Sequence, residues 1–362
     1  DLGFTQVLLN GLAHDGGLYI PQEIPFFNQK KLNYLRSLDY ANLAYEIIKP
    51  FIANEIPSKN LKEICVKTYQ KSFGKKIISF NNLNENEYIA NLFHGPTLAF
   101  KDFALQLLGN IYDFILEKRK IKLAIIGATS GDTGSAAIQG CSKSNNLKIF
   151  ILFPHGRVSE IQRRQMTTVK KKNVFNIAVK GNFDDCQRLV KNFFKINNET
   201  RELNLAAVNS INWVRIMGQI VYYFWIYFRV NNTLSPLNFV VPTGNFGNAY
   251  AGYISKKMGL PIRKIVISSN KNDILTRFFH SGKMVIKNTL TSLSPSMDIQ
   301  ISSNFERLLY DYLGNGMRVR RLFSKLEVSK EFGISQEYLK KMLDTFEFGK
   351  LTDFSTKKTI NF

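Results

Sequence analysis

The chain is poor in the residues that build disulfide frameworks and metal sites. Its 362 residues include three cysteines and four histidines. The cysteines are far apart and form no CxxC pair, and the histidines show no metal-ligand spacing. These patterns argue against a disulfide scaffold and against a metal site. No secretory signal is visible, so we expect a reduced, cytoplasmic compartment.

Long apolar runs are also absent. The most apolar segment, IMGQIVYYFWIYF at 216–228, is interrupted by Gln219. It is shorter than the roughly 20 residues needed to span a bilayer. We therefore predict a buried helix at this position and no membrane partner.

Acidic residues are scarce relative to basic ones. Lysine and arginine total 49 against 28 acids, which gives a net charge of +21. A clustered excess of this size marks nucleic-acid or membrane-surface binding. Here the basic residues are scattered along the chain, so we interpret them as solvated surface and predict no nucleic-acid partner. The charge would still attract small anionic substrates.

What the chain does contain is a regular alternation of short apolar runs and amphipathic helices from residue 88 onward. The apolar runs, each closed by a turn, are KLAIIGATSG, LKIFILFP, VFNIAVKG, NFVVPTGNFG and KIVISSN. Such alternation is typical of parallel sheets covered by helices. Ligands of these sheets bind beyond the carboxyl ends of the strands, so the turns after the runs are the candidate sites.

The turn PTGNFGNAYAGY at 242–253 follows the run FVV. Gly244 and Gly247 permit backbone conformations that other residues resist. The next helix begins with small residues, so its N-terminal N–H groups would face the turn. This pattern predicts a phosphate cradle, although a tight connection that binds nothing gives the same pattern.

A second turn, GATSGDTGSAA at 127–137, has the same organisation. The hydroxyls of Thr129, Ser130 and Thr133, together with exposed amides, could bind another anion. The alternative interpretation is a simple helix cap, with Asp132 as the capping acid.

The third stretch, FHGPTLAFKDF, places Lys101 between Phe100 and Phe103 at a predicted helix start. Burial and the positive helix end both favour the neutral amine. A neutral lysine amine forms a Schiff base with an aldehyde. One such lysine, one phosphate cradle and no redox or metal motif together point to pyridoxal phosphate as the cofactor.

Five motifs then resemble a known family. FHGPTLAFKDF, ATSGDTG, NSINWVRI, PTGNFGNAYAGY and SPSMDIQISSNFERLL are similar, in order and spacing, to the threonine synthases of proteobacteria and fungi. The resemblance covers about residues 1–315. It implies an α/β fold of tryptophan-synthase-β type, that is, a fold type II pyridoxal-phosphate enzyme. This fold has two open, mostly parallel sheets flanked by helices and an N-terminal mainly helical segment.

The expected division of the chain has four parts. We predict an N-terminal helical domain over 1–75 and a large cofactor-binding α/β domain over 76–115 and 205–300. A smaller α/β domain would occupy 116–204, and an incomplete helical segment 301–362.

The resemblance also implies roles for individual residues. Lys101 resembles the lysine that binds the cofactor as a Schiff base and later moves protons, and Asp132 resembles the residue beside the cofactor ring hydroxyl. The implied phosphate loop consists of Gly244, Asn245, Phe246, Gly247 and Asn248. The implied substrate-binding residues are Ser130, Thr133, Ser210, Asn212 and Arg215.

The implied activity is that of a lyase in threonine biosynthesis. Its substrate is O-phosphohomoserine, which reacts with water to give L-threonine and phosphate. The lysine removes the α-proton and then the β-proton, and phosphate leaves from the γ-carbon. Arg215 and the turn TSGDTG would bind the leaving phosphate.

The C-terminal part departs from the family pattern. Members carry a PHTAV-like stretch and then a TAHPAKF-like turn whose threonine meets the pyridine nitrogen. Neither occurs here, and the alternating pattern dissolves after Phe348. Either the sequence stops before this part, or the part is lost, or a partner chain supplies it. The sequence gives no indication of oligomeric state.

Three other functions stay open at this point. A dehydratase or cysteine-synthase-like enzyme would share the fold, but HGPTLAFKDF and NSIN argue against it. A non-catalytic descendant would keep the scaffold and bind pyridoxal phosphate or phosphorylated amino acids. A basic nucleic-acid binder would show steeply salt-dependent binding to oligonucleotides.

Overall fold

The structure is a computed structural model that describes residues 1–13, 15–74, 76–200, 203–208 and 211–360. Contacts between residues divide the chain into two compact units. The first unit comprises residues 1–19 and 29–230, and the second comprises 20–28 and 231–362. The four-part division predicted from the sequence is finer than this and stays a prediction.

The N-terminal part of the first unit is helical, as the apolar spacing predicts. Its helices are α1 (Phe4–Asn10), α2 (Gln29–Arg36), α3 (Tyr40–Ile52) and α4 (Ser58–Lys71). Asp39 caps α3 by accepting a hydrogen bond of 2.9 Å from the Asn42 backbone N–H. Along α4 the helically spaced Leu61, Ile64 and Cys65 are all buried.

A polar hairpin follows that the sequence analysis did not predict. Strands β1 (Ser79–Asn84) and β2 (Glu87–Asn91) pair in antiparallel register, with Phe80 opposite Ala90. The segment FNNLNENEYIAN lacks the apolar alternation that marks a half-buried strand. Most of its residues are exposed, which accounts for that composition.

The remainder of the first unit contains the predicted parallel sheet. Its elements are α5 (Lys101–Arg119), β3 (Leu123–Ala128), α6 (Asp132–Cys141), β4 (Leu147–Pro154), α7 (Glu160–Thr167), β5 (Val174–Val179), α8 (Phe183–Thr200), β6 (Leu205–Ala207) and α9 (Trp213–Val230). The strands are parallel in the order β5-β4-β3-β6. Helix α9 is the predicted buried helix, and even Gln219 at its centre is buried. None of the helices that the structure describes is both long and apolar enough to cross a membrane.

Glycines bring three of these helices into close contact. A Cβ on Gly109 of α5 would lie 2.0 Å from the carbonyl oxygen of Gly140 in α6. A Cβ on Gly218 of α9 would lie 2.9 Å from the Ala104 Cα of α5. Only glycine permits backbones to approach this closely. Helices α5, α6 and α9 are therefore fixed against one another.

The second unit is built on another parallel sheet. Its elements are β7 (Leu237–Pro242), α10 (Gly247–Lys257), β8 (Ile262–Ser269), α11 (Ile274–Ser281), β9 (Lys283–Val285), a 3₁₀ turn (Pro295–Met297), α12 (Phe305–Leu313), α13 (Gly316–Ser329), β10 (Glu331–Gly333), α14 (Gln336–Leu343), β11 (Phe346–Lys350) and α15 (Asp353–Ile360). The parallel strands lie in the order β11-β8-β7, and β9 pairs with β10 in an antiparallel arrangement.

Strand β11 lies within residues 301–362, for which the sequence predicted an incomplete helical segment and no further strand. It pairs in parallel with β8, with Phe346 opposite Ile265. Phe346 is fully buried, whereas the following Glu347 is exposed. The sequence FEFGK is too short and too charged to be distinguished from a helix end by its pattern alone.

Candidate active site

Lys101 is the first residue of α5, and the preceding turn fixes its backbone. The buried carboxylate of Asp102 accepts hydrogen bonds of 2.8 Å from both the backbone N–H and the hydroxyl of Thr97. A Cβ on Gly95 would lie 2.5 Å from the Asp102 side chain, so the turn requires glycine there. Burial raises the pKa of Asp102, while the hydrogen bonds from Thr97 lower it. Sequence reasoning overlooked Asp102, and its only signal was its place in the motif.

The Lys101 amine lies against two residues of the turn after β3. Its Nζ is 2.6 Å from Asp132 Oδ1 and 2.9 Å from Thr133 Oγ1, and its side chain is 12% exposed. Burial lowers the pKa of Lys101, the charge of Asp132 opposes that shift, and Arg215 adds to it. The net direction is downward, towards the neutral amine expected from the sequence. The fold thus brings three predicted site residues together.

The turn after β3 is capped by a residue to which the sequence analysis gave another role. Thr129 Oγ1 accepts hydrogen bonds from the backbone N–H groups of Gly131 (2.9 Å) and Gly134 (2.8 Å). Asp132 is therefore not the capping acid, because its carboxylate instead binds Lys101. Ser130 lies half-buried in the same turn.

Arg215 near the start of α9 is a buried cation. It is 2% exposed, and its Nη1 donates a hydrogen bond of 2.9 Å to the Val208 carbonyl oxygen. Its Nε has no partner among the residues that the structure describes. Burial lowers the pKa of Arg215 to about 10, and Asp132 opposes this shift. A buried guanidinium with an unused donor is suited to an anionic ligand.

The other two predicted substrate residues come from the segment before α9. Asn212 is buried, and its amide donates to the Leu8 carbonyl (3.2 Å) and to the Tyr112 hydroxyl (3.4 Å). Its Oδ1 accepts a hydrogen bond of 3.1 Å from the Val214 N–H. These contacts indicate a structural role, and contact with substrate stays a prediction. Ser210 lies outside the described residues.

In the second unit, the loop at 244–248 joins β7 to α10. Phe246 is the N-cap of α10 in a left-handed conformation (φ 63°), and it makes no side-chain capping bond. Its buried ring packs against Phe305, with 5.2 Å between centroids, and against Phe346, with 5.7 Å. This packing supports a backbone conformation that is strained for a residue other than glycine. The first turn of α10 thus offers N–H groups that no N-cap side chain binds.

The carbonyl side of the same loop is bound by residues that sequence reasoning missed. Ser302 Oγ donates a hydrogen bond of 2.6 Å to the Gly244 carbonyl, and the Asn304 N–H donates one of 3.0 Å to the Asn245 carbonyl. Both residues belong to the motif SPSMDIQISSNFERLL, which was available as a signal but carried no assigned role.

These groups fit pyridoxal phosphate when each unit is considered by itself. The first unit has the largely buried Lys101 amine, whose pKa is lowered in part by Arg215, a cation with an unused donor. The second unit has a helix start without a side-chain cap. The amine of the first unit is suited to an aldehyde, and the helix start of the second unit is suited to a phosphate. Among the described residues, no group of three or more His, Cys, Asp or Glu could hold a metal ion.

Comparison of the chain with known proteins also points to a pyridoxal-phosphate enzyme. Residues 1–69 match the threonine synthase N terminus, and residues 77–321 match the pyridoxal-phosphate dependent enzyme family. Threonine synthase from Pseudomonas aeruginosa is 48% identical over 361 residues, which cover 99% of this chain and 77% of that protein. The chain belongs to the threonine synthase family. It is therefore a pyridoxal-phosphate-dependent lyase, as predicted.

Solved threonine synthases confirm the predicted fold. The pyridoxal-phosphate-bound enzyme from Brucella melitensis matches with a TM-score of 0.93 at 45% identity, covering 98% of this chain and 77% of that one. The yeast enzyme matches with a TM-score of 0.92 at 40% identity, covering 99% and 75%. The chain thus spans about three quarters of the length of these threonine synthases.

Proposed function

We propose that the chain converts O-phosphohomoserine and water to L-threonine and phosphate, the last step of threonine biosynthesis. The contact of the largely buried Lys101 amine with Asp132 and Thr133, at 2.6 and 2.9 Å, carries this proposal. Membership of the threonine synthase family supports it.

We assign the cofactor to two sets of residues. Lys101 would bind the aldehyde, and the loop at 244–248 would bind the phosphate through its N–H groups. Asp132 would lie beside the ring hydroxyl. Bound pyridoxal phosphate supplies a conjugated ring that spreads the negative charge of a deprotonated substrate carbon.

Lys101 is then the base that moves protons. Its Nζ takes the α-proton of the substrate and afterwards a β-proton. Its lowered pKa keeps the amine neutral at a lower pH than that of an exposed lysine. The bonds to Asp132 Oδ1 and Thr133 Oγ1 hold Nζ in one direction.

Arg215, Ser130 and Thr133 would bind the substrate phosphate. The buried Arg215 guanidinium offers Nε as a donor and a charge that water does not screen. Such a group stabilises the phosphate dianion as it leaves the γ-carbon. The γ-carbon takes up one proton, water gives its hydroxide to the β-carbon, and one proton returns to the α-carbon. The remaining proton stays on the released phosphate, so one substrate and one water give one L-threonine and one phosphate.

The deciding experiment compares two products. Purified chain with added pyridoxal phosphate is given O-phosphohomoserine, and phosphate release is measured. The same protein is given L-threonine, and ammonia release is measured. We expect phosphate release to dominate. Faster ammonia release would indicate a dehydratase, and a folded protein that binds pyridoxal phosphate without turnover would indicate a non-catalytic scaffold.

We further propose that the small substrate is the protein's partner and that the chain works in the cytoplasm. Three cysteines that are all buried and free support a reduced compartment. Oligonucleotide binding that weakens steeply with salt would contradict the first statement.

A further inference from the structure

One short buried segment binds the loop at 244–248 from behind. Ser302 is 3% exposed and Asn304 is fully buried. Ser302 Oγ donates to the Gly244 carbonyl at 2.6 Å, and the Asn304 N–H donates to the Asn245 carbonyl at 3.0 Å. Two consecutive carbonyl groups of the loop are therefore held by residues two positions apart.

Holding these carbonyls also sets the direction of the neighbouring N–H groups. A trans peptide is planar, and its C=O and N–H point in opposite directions. The structure has no cis peptide among the described residues. The N–H of Asn245 therefore points away from Ser302, and the N–H of Phe246 points away from Asn304. Ser302 and Asn304 thus turn two loop amides towards the opposite side of the loop.

The surrounding contacts keep this arrangement rigid. A Cβ on Gly244 would lie 3.0 Å from Ile299 Cδ1, so the loop already rests on the chain leading to Ser302. Phe246 packs edge-to-face on Phe305. The side chain of Asn304 accepts a hydrogen bond from the fully buried Arg307. The loop and the 302–307 segment therefore form one packed body.

We propose that Ser302 is a positioning residue for the cofactor phosphate, because its hydrogen bond to Gly244 aims the loop amides at that phosphate. The inference rests on the proposed function, in which the loop at 244–248 binds the phosphate. It adds a residue that does not itself touch the cofactor.

The test uses two ligands that differ only in the phosphate. Cofactor-free chain is titrated with pyridoxal phosphate and with pyridoxal, and the ratio of the two dissociation constants is measured for wild type and Ser302→Ala. Loss of one hydrogen bond should weaken pyridoxal phosphate binding about tenfold. Pyridoxal binding should stay unchanged, because the loop contributes nothing to it.

Ser255→Ala is the matched control. Ser255 is fully buried in α10, and its hydroxyl donates a hydrogen bond of 2.8 Å to the Ala251 carbonyl. This variant loses the same kind of bond in the helix that follows the loop, so the ligand ratio should not change. Ser302→Cys, which keeps a weaker donor, should give an intermediate ratio.

Two outcomes would overturn the proposal. In the first, Ser302→Ala weakens the binding of pyridoxal phosphate and of pyridoxal equally. In the second, it changes the ratio of the two dissociation constants no more than Ser255→Ala does. The affinity ratio is measured without substrate, so it is independent of turnover. A wild type that prefers pyridoxal phosphate but releases no phosphate from O-phosphohomoserine would contradict only the proposed function.

Discussion

The turns after β3 and after β7 share one sequence plan, a strand followed by a glycine-rich turn and a helix that begins with small residues. They use a threonine in opposite ways. Thr129 Oγ1 accepts hydrogen bonds from two amides of its own turn. Thr243 Oγ1 instead donates a hydrogen bond of 2.7 Å back to the Val241 carbonyl in the strand.

This difference separates two kinds of site. In the first turn the threonine uses amides that an anion would need, and the turn contributes the side chains of Asp132 and Thr133 to Lys101. In the second turn the N-cap residue Phe246 makes no side-chain capping bond, so the main chain at the start of α10 is suited to an anion. The sequence predicted an anion site at both turns. In the first turn Thr129 occupies two of the amides, so an anion there would depend on the hydroxyls of Ser130 and Thr133, whereas in the second turn the amides themselves are suited to it.

The largest expected effect comes from removing the amine that the first turn holds. Lys101→Ala should lower phosphate release from O-phosphohomoserine by about 10³-fold or more, because the proton-moving base is lost. The near-visible absorption band formed with added pyridoxal phosphate should also disappear. Steady-state kinetics and absorption spectra of the purified variant measure both effects.

Lys118→Ala serves as the control, since Lys118 is an exposed lysine in the last turn of the same helix. It should change neither quantity. If Lys101→Ala kept the absorption band, the amine would not be the attachment point, and the assignment of side-chain chemistry to the first turn would be wrong.

The next largest effect is expected from removing Arg215, the buried cation of the first unit. Arg215→Ala should lower kcat/KM for O-phosphohomoserine roughly 100-fold, as expected when one donor to a developing anion is lost. At high pH, where Lys101 is neutral in both proteins, cofactor affinity should change little, because the cofactor phosphate is assigned to the second unit. Arg119→Ala, at the exposed end of α5, is the matched control. A fall in pyridoxal phosphate affinity with kcat/KM preserved would reverse the two assignments.

A smaller effect should appear in the pH dependence of cofactor uptake. The neutral form of Lys101 reacts with the aldehyde, so uptake should rise with pH through its pKa. Asp132 raises that pKa and Arg215 lowers it. Asp132→Asn should therefore move the rise to lower pH, and Arg215→Ala should move it to higher pH. Stopped-flow absorbance at a series of pH values measures both shifts, and movement of both profiles in the same direction would contradict this reasoning.

Much of the fold and part of the candidate site could be predicted from the sequence, because these features depend on local patterns. The apolar runs located β3, β4, β5, β7 and β8, and the motif FHGPTLAFKDF located Lys101 at a helix start. The short strands β6, β9, β10 and β11 were missed, since three to five residues carry too little periodicity.

The missed site residues depend on contacts between distant parts of the chain. Ser302 lies 58 positions from the carbonyl that it binds. The 2.6 Å contact between Lys101 and Asp132 spans 31 positions and joins α5 to α6, two helices that also approach closely at Gly109 and Gly140. The use of Thr129 rather than Asp132 as the cap is a matter of side-chain direction, which composition does not encode.

The smallest effect is expected on stability, when the threonine of each turn is replaced, and it tests the comparison of the two turns most directly. Thr129→Val keeps the shape of the side chain but leaves the N–H groups of Gly131 and Gly134 without their acceptor. It should lower the free energy of unfolding by about 1 to 2 kcal/mol, as loss of a helix cap does. Thr243→Val removes a single donated bond and leaves its carbonyl acceptor in the strand, so it should cost about 1 kcal/mol or less. Urea denaturation of both variants gives the two values. Equal losses would mean that Thr129 does not bind the turn amides strongly, and the first turn would then be as open to an anion as the second.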